Sequence, residues 1–389
     1  MEIPSTMQTA PESENSSNSS LHVFVPRWMN RSDRNAQNSN AKAMLSRFSD
    51  PQVRWTAIAG EDPIPAVVKN GIDILGFSRG HLWPYELLLS YQKRFDAIFY
   101  PGVMWPDEFG LKARRASGRR IPVIATMEGV LTDSGNVAKL AEHFGHPICS
   151  QPGVEHAIPR IRWMYENSDH IIAISPFLAK AGELLYGKKV SHLPLGIETG
   201  IFYSGGRRDP ERCRVVTAGT VKGSKNPELF LQLAARYRDA EFVWFGDGEM
   251  RSLLIEKAKS VGMANLAFPG SLLPEKLAHE FRNSSIFVLT SRSEGVPKVT
   301  QEAAACGLPV VLNGFFEAPS VVHEQNGLVA WSDEELTEQV SRLLQDSTMR
   351  ARMGQKGAEM AKSWDWNRIA PQWEQLIVDV ATSRPIHSE

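Results

Sequence analysis

The chain has 389 residues, an apolar fraction of 42% and a formal net charge of −1. That length accommodates two domains with sizeable cores, and so balanced a charge gives no global attraction to nucleic acid or to an acidic partner. Cys149, Cys213 and Cys306 are few, widely spaced and odd in number. They speak against a disulfide framework and a cysteine-built metal site, and point to a reducing, cytoplasmic setting. No run of about 18 apolar residues occurs, so no transmembrane helix is expected.

Residues 1–20 are polar and end in Glu-Asn-Ser-Ser-Asn-Ser-Ser, a composition that predicts a disordered tail. They lack the basic start and apolar core of a signal peptide, so the sequons at Asn15 and Asn18 read as accidents of composition. From Leu21 onward, short apolar runs alternate with amphipathic ones. Strands are expected at 21–25, 53–59, 72–77, 97–100, 121–126, 171–174 and 191–193, with helical patterns between most of them, for instance at 85–95 and 154–167. The polar break at 205–212 reads as an interdomain linker. A second, more regular series follows. Its strands are expected at 214–218, 242–245, 266–268, 286–290, 310–312 and 328–330, and its helices at 227–237, 249–261, 274–283 and 299–306. The alternation predicts an α/β architecture of two doubly wound, Rossmann-like domains, at 21–204 and 213–364, facing a cleft. An amphipathic segment, 365–389, completes the chain.

The most informative stretch runs from Ser291 to Val311, between two buried-strand patterns. Gly295 permits close backbone approach to a ligand, Pro297 suits a first helical turn, and Gly307 suits the stop after the alanines. Glu294 lies in the loop and Glu302 on the expected helix. If most of the interval is helical, the carboxylates are roughly 12 Å apart along the axis, with a helix N-terminus between them. This layout fits hydroxyls at both ends and an anion in the middle, as in a nucleotide diphosphate sugar. The free N–H groups around Val296 to Thr300 would receive the anion.

The Glu294 to Glu302 spacing, with Glu-Gly-Val-Pro-Lys inside it and Cys-Gly-Leu-Pro-Val-Val after it, resembles the donor-site signature of family 4 retaining glycosyltransferases (glycosyl transferases group 1). That family has the GT-B fold. The resemblance extends over the second domain: Ala218-Gly219 and Lys225-Asn226-Pro227 resemble the phosphate-binding segment, Gly246-Asp247-Gly248 the family's Gly-Asp-Gly turn, and Phe268 to Leu272 the segment beside the nucleobase. It implies a donor site of Gly219, Thr220, Lys222, Lys225, Gly246, Ser271, Leu272, Glu294, Gly295, Val296, Pro297, Lys298 and Glu302. Glu302 would hold the ribose and Glu294 the transferred sugar, while Lys225 would place positive charge on the leaving pyrophosphate. It also implies hexosyl transfer with retention, without a metal or other cofactor, from a nucleotide diphosphate sugar as co-substrate. The terminal helix would cross back onto the first domain.

There are departures from the family pattern. Thr220 stands where the family usually has arginine, and Lys222 is a candidate to supply that charge. Glu128, after the strand-like Ile-Pro-Val-Ile-Ala-Thr-Met, replaces the family's histidine near the transferred sugar and is a further catalytic candidate. The glycine-rich loop expected after the first strand is absent from 26–40. The acceptor is therefore open: a sugar, a lipid-linked or a small-molecule hydroxyl. So is the alternative of an inactive sugar-nucleotide sensor or partner subunit. Lys112, Arg114, Arg115, Arg119 and Arg120 form a basic cluster that is either an ordinary solvated face or a peripheral contact with anionic membrane. His143 and His146 lack further ligands for a metal site.

Overall fold

The computed structural model describes residues 20–28, 36–59, 73–76, 95–104, 107–118, 121–148, 155–206, 213–316 and 318–383. Strands β1 (Leu21–Trp28), β2 (Val53–Ala59), β3 (Asp73–Gly76), β4 (Ala97–Tyr100), β5 (Val123–Met127), β6 (His170–Ala173) and β7 (Val190–His192) form one sheet in the order β3-β2-β1-β4-β5-β6-β7. Every pairing in it is parallel. Strands β8 (Arg214–Ala218), β9 (Glu241–Phe245), β10 (Leu266–Gly270), β11 (Ile286–Leu289), β12 (Val310–Asn313) and β13 (Gly327–Ala330) form a second parallel sheet, ordered β10-β9-β8-β11-β12-β13.

The strands are buried apolar runs because helices cover both faces of each sheet. All four residues of β4, β11 and β12 are buried, including the polar Asn313 at the end of β12. Around the first sheet lie α1 (Ala36–Leu45), α2 (Asp107–Ala116), α3 (Ser134–Phe144), α4 (Ile158–Asn167) and α5 (Pro176–Tyr186). Around the second lie α6 (Pro227–Arg236), α7 (Arg251–Ser260), α8 (Pro274–Arg282), α9 (Lys298–Ala305), α10 (Asp333–Gln345) and α11 (Ser347–Ala361). In both sheets the strand order reverses once, between β1 and β4 and between β8 and β11. Such reversals open a crevice beyond the carboxyl ends of the strands.

The last helix, α12 (Trp366–Thr382), belongs spatially to the first sheet. Trp366, Ile369, Ala370, Trp373 and Ile377 are buried in the core that contains β1, β4 and β5. The Trp373 indole N–H donates to the Pro194 carbonyl at 2.9 Å, and the buried Glu374 accepts from the Ser49 and Asp50 amides at 2.9 to 3.1 Å. Where the chain crosses between sheets, its two passes bind each other: the Ile197 N–H donates to the Trp364 carbonyl at 2.8 Å. A Cβ on Gly196 would lie 2.6 Å from the Trp366 ring, so only glycine lets the passes approach this closely.

The tail at 1–19, most of the helical pattern at 85–95, linker positions 207–212, Cys149, Arg119 and Arg120 lie outside the described residues.

Candidate active site

The loops after β8 and β11 meet at the reversal point of the second sheet. The Thr290 hydroxyl donates to the Lys225 carbonyl at 2.7 Å, and the Arg292 N–H donates to the Ser224 carbonyl at 3.3 Å. Arg292 also reaches Asp333, in the first turn of α10, at 2.6 Å. With both loops pinned, Lys225 Nζ donates to Glu294 Oε1 in a pair whose side chains keep only 21% and 12% of their exposure. Lys225 closes a 3-10 turn, Gly223–Lys225, after which Asn226 takes a left-handed φ of 48° and Pro227 opens α6. That abrupt change of direction turns Lys225 back over the strand ends.

Three strand ends lie edge to edge beside this pair. The Gly219 N–H donates to the Phe245 carbonyl at 2.9 Å, and the Gly246 N–H donates to the Gly270 carbonyl at 2.9 Å. Gly246 has φ 154°, and a Cβ there would stand 1.9 Å from the Gly219 carbonyl oxygen. The Asp247 carboxylate accepts from the Ser271 amide at 2.9 Å, a bond that holds its pKa below the ordinary aspartate range. Gly219, Thr220, Lys222 and Ser271 are exposed on this edge, while Leu272 packs partly buried on the core beneath. The glycines thus build a flat backbone ledge onto which a ligand can settle.

The helix at the centre of the motif starts within one residue of the expected 299, but the role expected of Pro297 changes. It begins at Lys298, and Pro297 is its cap in extended geometry rather than part of its first turn. The Pro297 carbonyl is occupied as the first acceptor, taking both the N–H (3.0 Å) and the hydroxyl (2.7 Å) of Thr300. Residues 294–297 are therefore loop. The expected 12 Å axial spacing does not apply over the whole interval, because only 298 to 302 rises helically, by roughly 6 Å. Glu294 is placed instead by Lys225. Gly295 and Val296 complete the loop, and Val296 packs on the core of the first domain.

Glu302 is partly buried on α9, and burial raises its pKa above the ordinary range while the neighbouring Lys298 opposes the rise. Lys298 Nζ donates to the Asn40 side-chain oxygen across the cleft at 3.0 Å. Burial depresses its own pKa, opposed by the negative charges of Glu302, Glu198 and Glu128. Glu128, one residue past β5 and partly buried, thus has its charge within reach of Lys298 at the start of α9. Sequence reasoning missed Asn40, Arg47 and Glu198. Arg47 pairs with Glu198 at 2.8 Å and donates to Asn367 at 2.9 Å, joining α1, the crossing segment and α12. No local motif announces these residues, because they meet only through the chain crossing.

The described members of the basic cluster, Lys112, Arg114 and Arg115, do not share one solvated face. Arg114 is 2% exposed and donates to the Phe95 carbonyl at 2.9 Å, so its charge belongs to the interior. Lys112 pairs with Glu108, and Arg115 donates to the Asn167 carbonyl at 3.1 Å. His143 and His146 join aromatic packing, His146 lying 4.9 Å from Trp331 across the cleft. Among the described residues no group of three His, Cys, Asp or Glu is placed to hold a metal ion, and no helix is long and apolar enough to cross a membrane.

Residues 206–360 match the family model for glycosyl transferases group 1. The fold matches HepE of Anabaena in complex with UDP at a TM-score of 0.71, covering 92% of this chain and 100% of that one at 14% identity. The chain has the GT-B fold, and its second domain carries the match to glycosyl transferases group 1. Sucrose-phosphate synthase from Thermosynechococcus elongatus gives a TM-score of 0.73 at 16% identity, covering 92% of this chain and 99% of that one. In sequence, the chain is 25% identical over 283 residues to the GDP-mannose-dependent monoacylated alpha-(1-6)-phosphatidylinositol monomannoside mannosyltransferase of Corynebacterium glutamicum. That match covers 65% of this chain and 73% of the relative. It is also 22% identical to the alpha-galactosylglucosyldiacylglycerol synthase of Streptococcus pneumoniae, over 54% of this chain and 60% of that one.

Proposed function

We propose that the protein transfers a hexosyl group, with retention and without a metal, from a nucleotide diphosphate sugar to an acceptor hydroxyl, as family 4 enzymes do. The observation that carries this reading is the Lys225–Glu294 pair, held at the reversal point of the second sheet in front of the α9 N-terminus. Lys225 and the free amides at the start of α9 supply positive potential for the pyrophosphate. The Glu302 carboxylate accepts from the ribose diol, and Glu294 both steadies Lys225 and accepts from hydroxyls of the sugar. The Gly219–Gly246–Gly270 ledge takes the nucleotide by backbone contact.

In a front-face displacement the bond from the anomeric carbon to the leaving phosphate oxygen breaks. The acceptor oxygen bonds to the same face of that carbon, and the acceptor proton passes to a phosphate oxygen of the departing nucleoside diphosphate. Glu128 faces this region from the first domain and orients a hydroxyl of the sugar or the acceptor. UDP in the HepE structure and GDP-mannose in the name of the C. glutamicum relative support a nucleoside diphosphate leaving group while leaving its base open.

The test incubates the protein with UDP-, GDP- and ADP-hexoses and a panel of hydroxyl acceptors, including glycolipids, in the presence of EDTA. Nucleoside diphosphate release from one donor, with NMR showing an α-linked product from an α-linked donor, is expected. Inversion at the anomeric carbon, or loss of turnover on chelation, contradicts the proposal.

A further inference from the structure

Lys298 is the charged residue of the 294–302 motif whose side chain reaches out to the first domain. It opens α9, yet its ammonium donates to Asn40 of α1 at 3.0 Å and lies 5.6 Å from the centre of the Trp366 ring on α12. Asn40 is 4% exposed and Trp366 is fully buried, so this end of the side chain sits in a built pocket of the first domain rather than in solvent. One helical turn on, at i+4, is Glu302, on the same face of the same helix. From the crossing segment Glu198 faces the ammonium, and from the end of β5 Glu128 does; the guanidinium of Arg47 is the other cation nearby. The Lys298 ammonium thus stands among carboxylates contributed by both domains, of which Glu198 is already paired with Arg47.

We propose that Lys298 is a positioning residue that joins donor capture to the seating of the two domains: it is the cation beside the Glu302 carboxylate and, through Asn40, the tether of the α9 start to the first domain. The inference rests on the reading of Glu302 as the ribose ligand. Burial alone favours the protonated form of Glu302, which cannot accept from two hydroxyls with both oxygens; the adjacent ammonium favours the carboxylate. Nucleotide affinity therefore falls as pH falls through the Glu302 pKa, and removing the ammonium moves that fall to higher pH. The Asn40 bond acts on different quantities, the angle of α9 and the closeness of the domains, and is independent of this titration.

The two roles separate by experiment. Lys298→Met is expected to weaken UDP or GDP binding by about tenfold at pH 6 and by only about threefold at pH 8, measured by titration calorimetry. Lys298→Arg restores the wild-type pH profile, because it restores the charge. Asn40→Ala keeps that profile and lowers kcat. A double-mutant cycle of Lys298→Met and Asn40→Ala on thermal unfolding, without ligand, is expected to be non-additive, since the two side chains share one hydrogen bond. A Lys298→Met protein whose nucleotide affinity follows the wild-type pH profile overturns the charge role, and strict additivity of the cycle overturns the tether. If Lys298→Met does not fold, a Lys298→Arg protein with an altered pH profile overturns the charge role instead. Glu302→Gln distinguishes the two levels: unchanged nucleotide affinity in that variant sinks the ribose reading itself, whereas weakened affinity alongside an unshifted Lys298→Met profile sinks only the proposal about Lys298.

Discussion

The two edges of the cleft are built on different principles. On the second domain, the ends of β8, β9 and β10 are stitched by backbone bonds through Gly219, Gly246 and Gly270, and two loops are zipped so that Lys225 and Glu294 meet. Side chains are few there and backbone does the shaping. On the first domain, the residues facing the same space are Asn40, Arg47, Glu128 and Glu198, brought together from α1, the end of β5 and the chain crossing. The contrast shows that an edge made of backbone leaves glycines and fixed spacings in the sequence, whereas an edge made by tertiary assembly leaves scattered polar residues.

That comparison can be broken in order of expected effect. Replacing Glu294 by alanine removes the partner that holds Lys225 and the proposed acceptor for the sugar hydroxyls. Turnover of the donor is expected to fall by about 10³-fold in a nucleoside diphosphate release assay, with the fold retained. A loss of less than tenfold would show that the pair does not serve the reaction. Gly246→Ala attacks the ledge itself. With a Cβ 1.9 Å from the Gly219 carbonyl oxygen, backbone must shift, and destabilisation of about 3 kcal/mol is expected in denaturant unfolding, together with loss of nucleotide binding. Unchanged stability would mean that the ledge is not rigid. Glu128→Gln tests the opposite edge. Transfer to acceptor is expected to slow by about tenfold while nucleotide affinity stays at the wild-type value, since Glu128 comes from the first domain. A matching loss of nucleotide affinity would place Glu128 in the donor site instead.

Much of the second edge was legible from sequence for a physical reason. The parallel strands are buried on both faces and read as continuous apolar runs, so β8, β11 and β12 stand out with their ends fixed to within a residue or so. The glycine at 246 is demanded by close approach, and the Glu294 to Glu302 spacing follows from a loop running into a helix. What was not legible depends on contacts, local or long-range, that leave no periodic pattern. That α9 starts at Lys298 depends on Thr300 occupying the Pro297 carbonyl, a local competition no periodicity reveals. Arg114 looked like one of a cluster of surface charges because its neighbours Lys112 and Arg115 are; only the packing of α2 shows it turned inward to Phe95. Asn40 and Glu198 carry no pattern at all, being selected by the crossing of the chain rather than by their neighbours in it.

The most direct measurement of the central claim is nucleotide binding to the wild-type protein and to Glu302→Gln, by titration calorimetry with UDP, GDP and ADP at pH 8. One of the three is expected to bind the wild type, with about tenfold weaker binding in the variant, because the carboxylate proposed to accept from the ribose diol is gone. Equal affinity for the two proteins, or no binding of any nucleoside diphosphate to the wild type, would contradict the assignment of the β8–β11 crevice as the donor site.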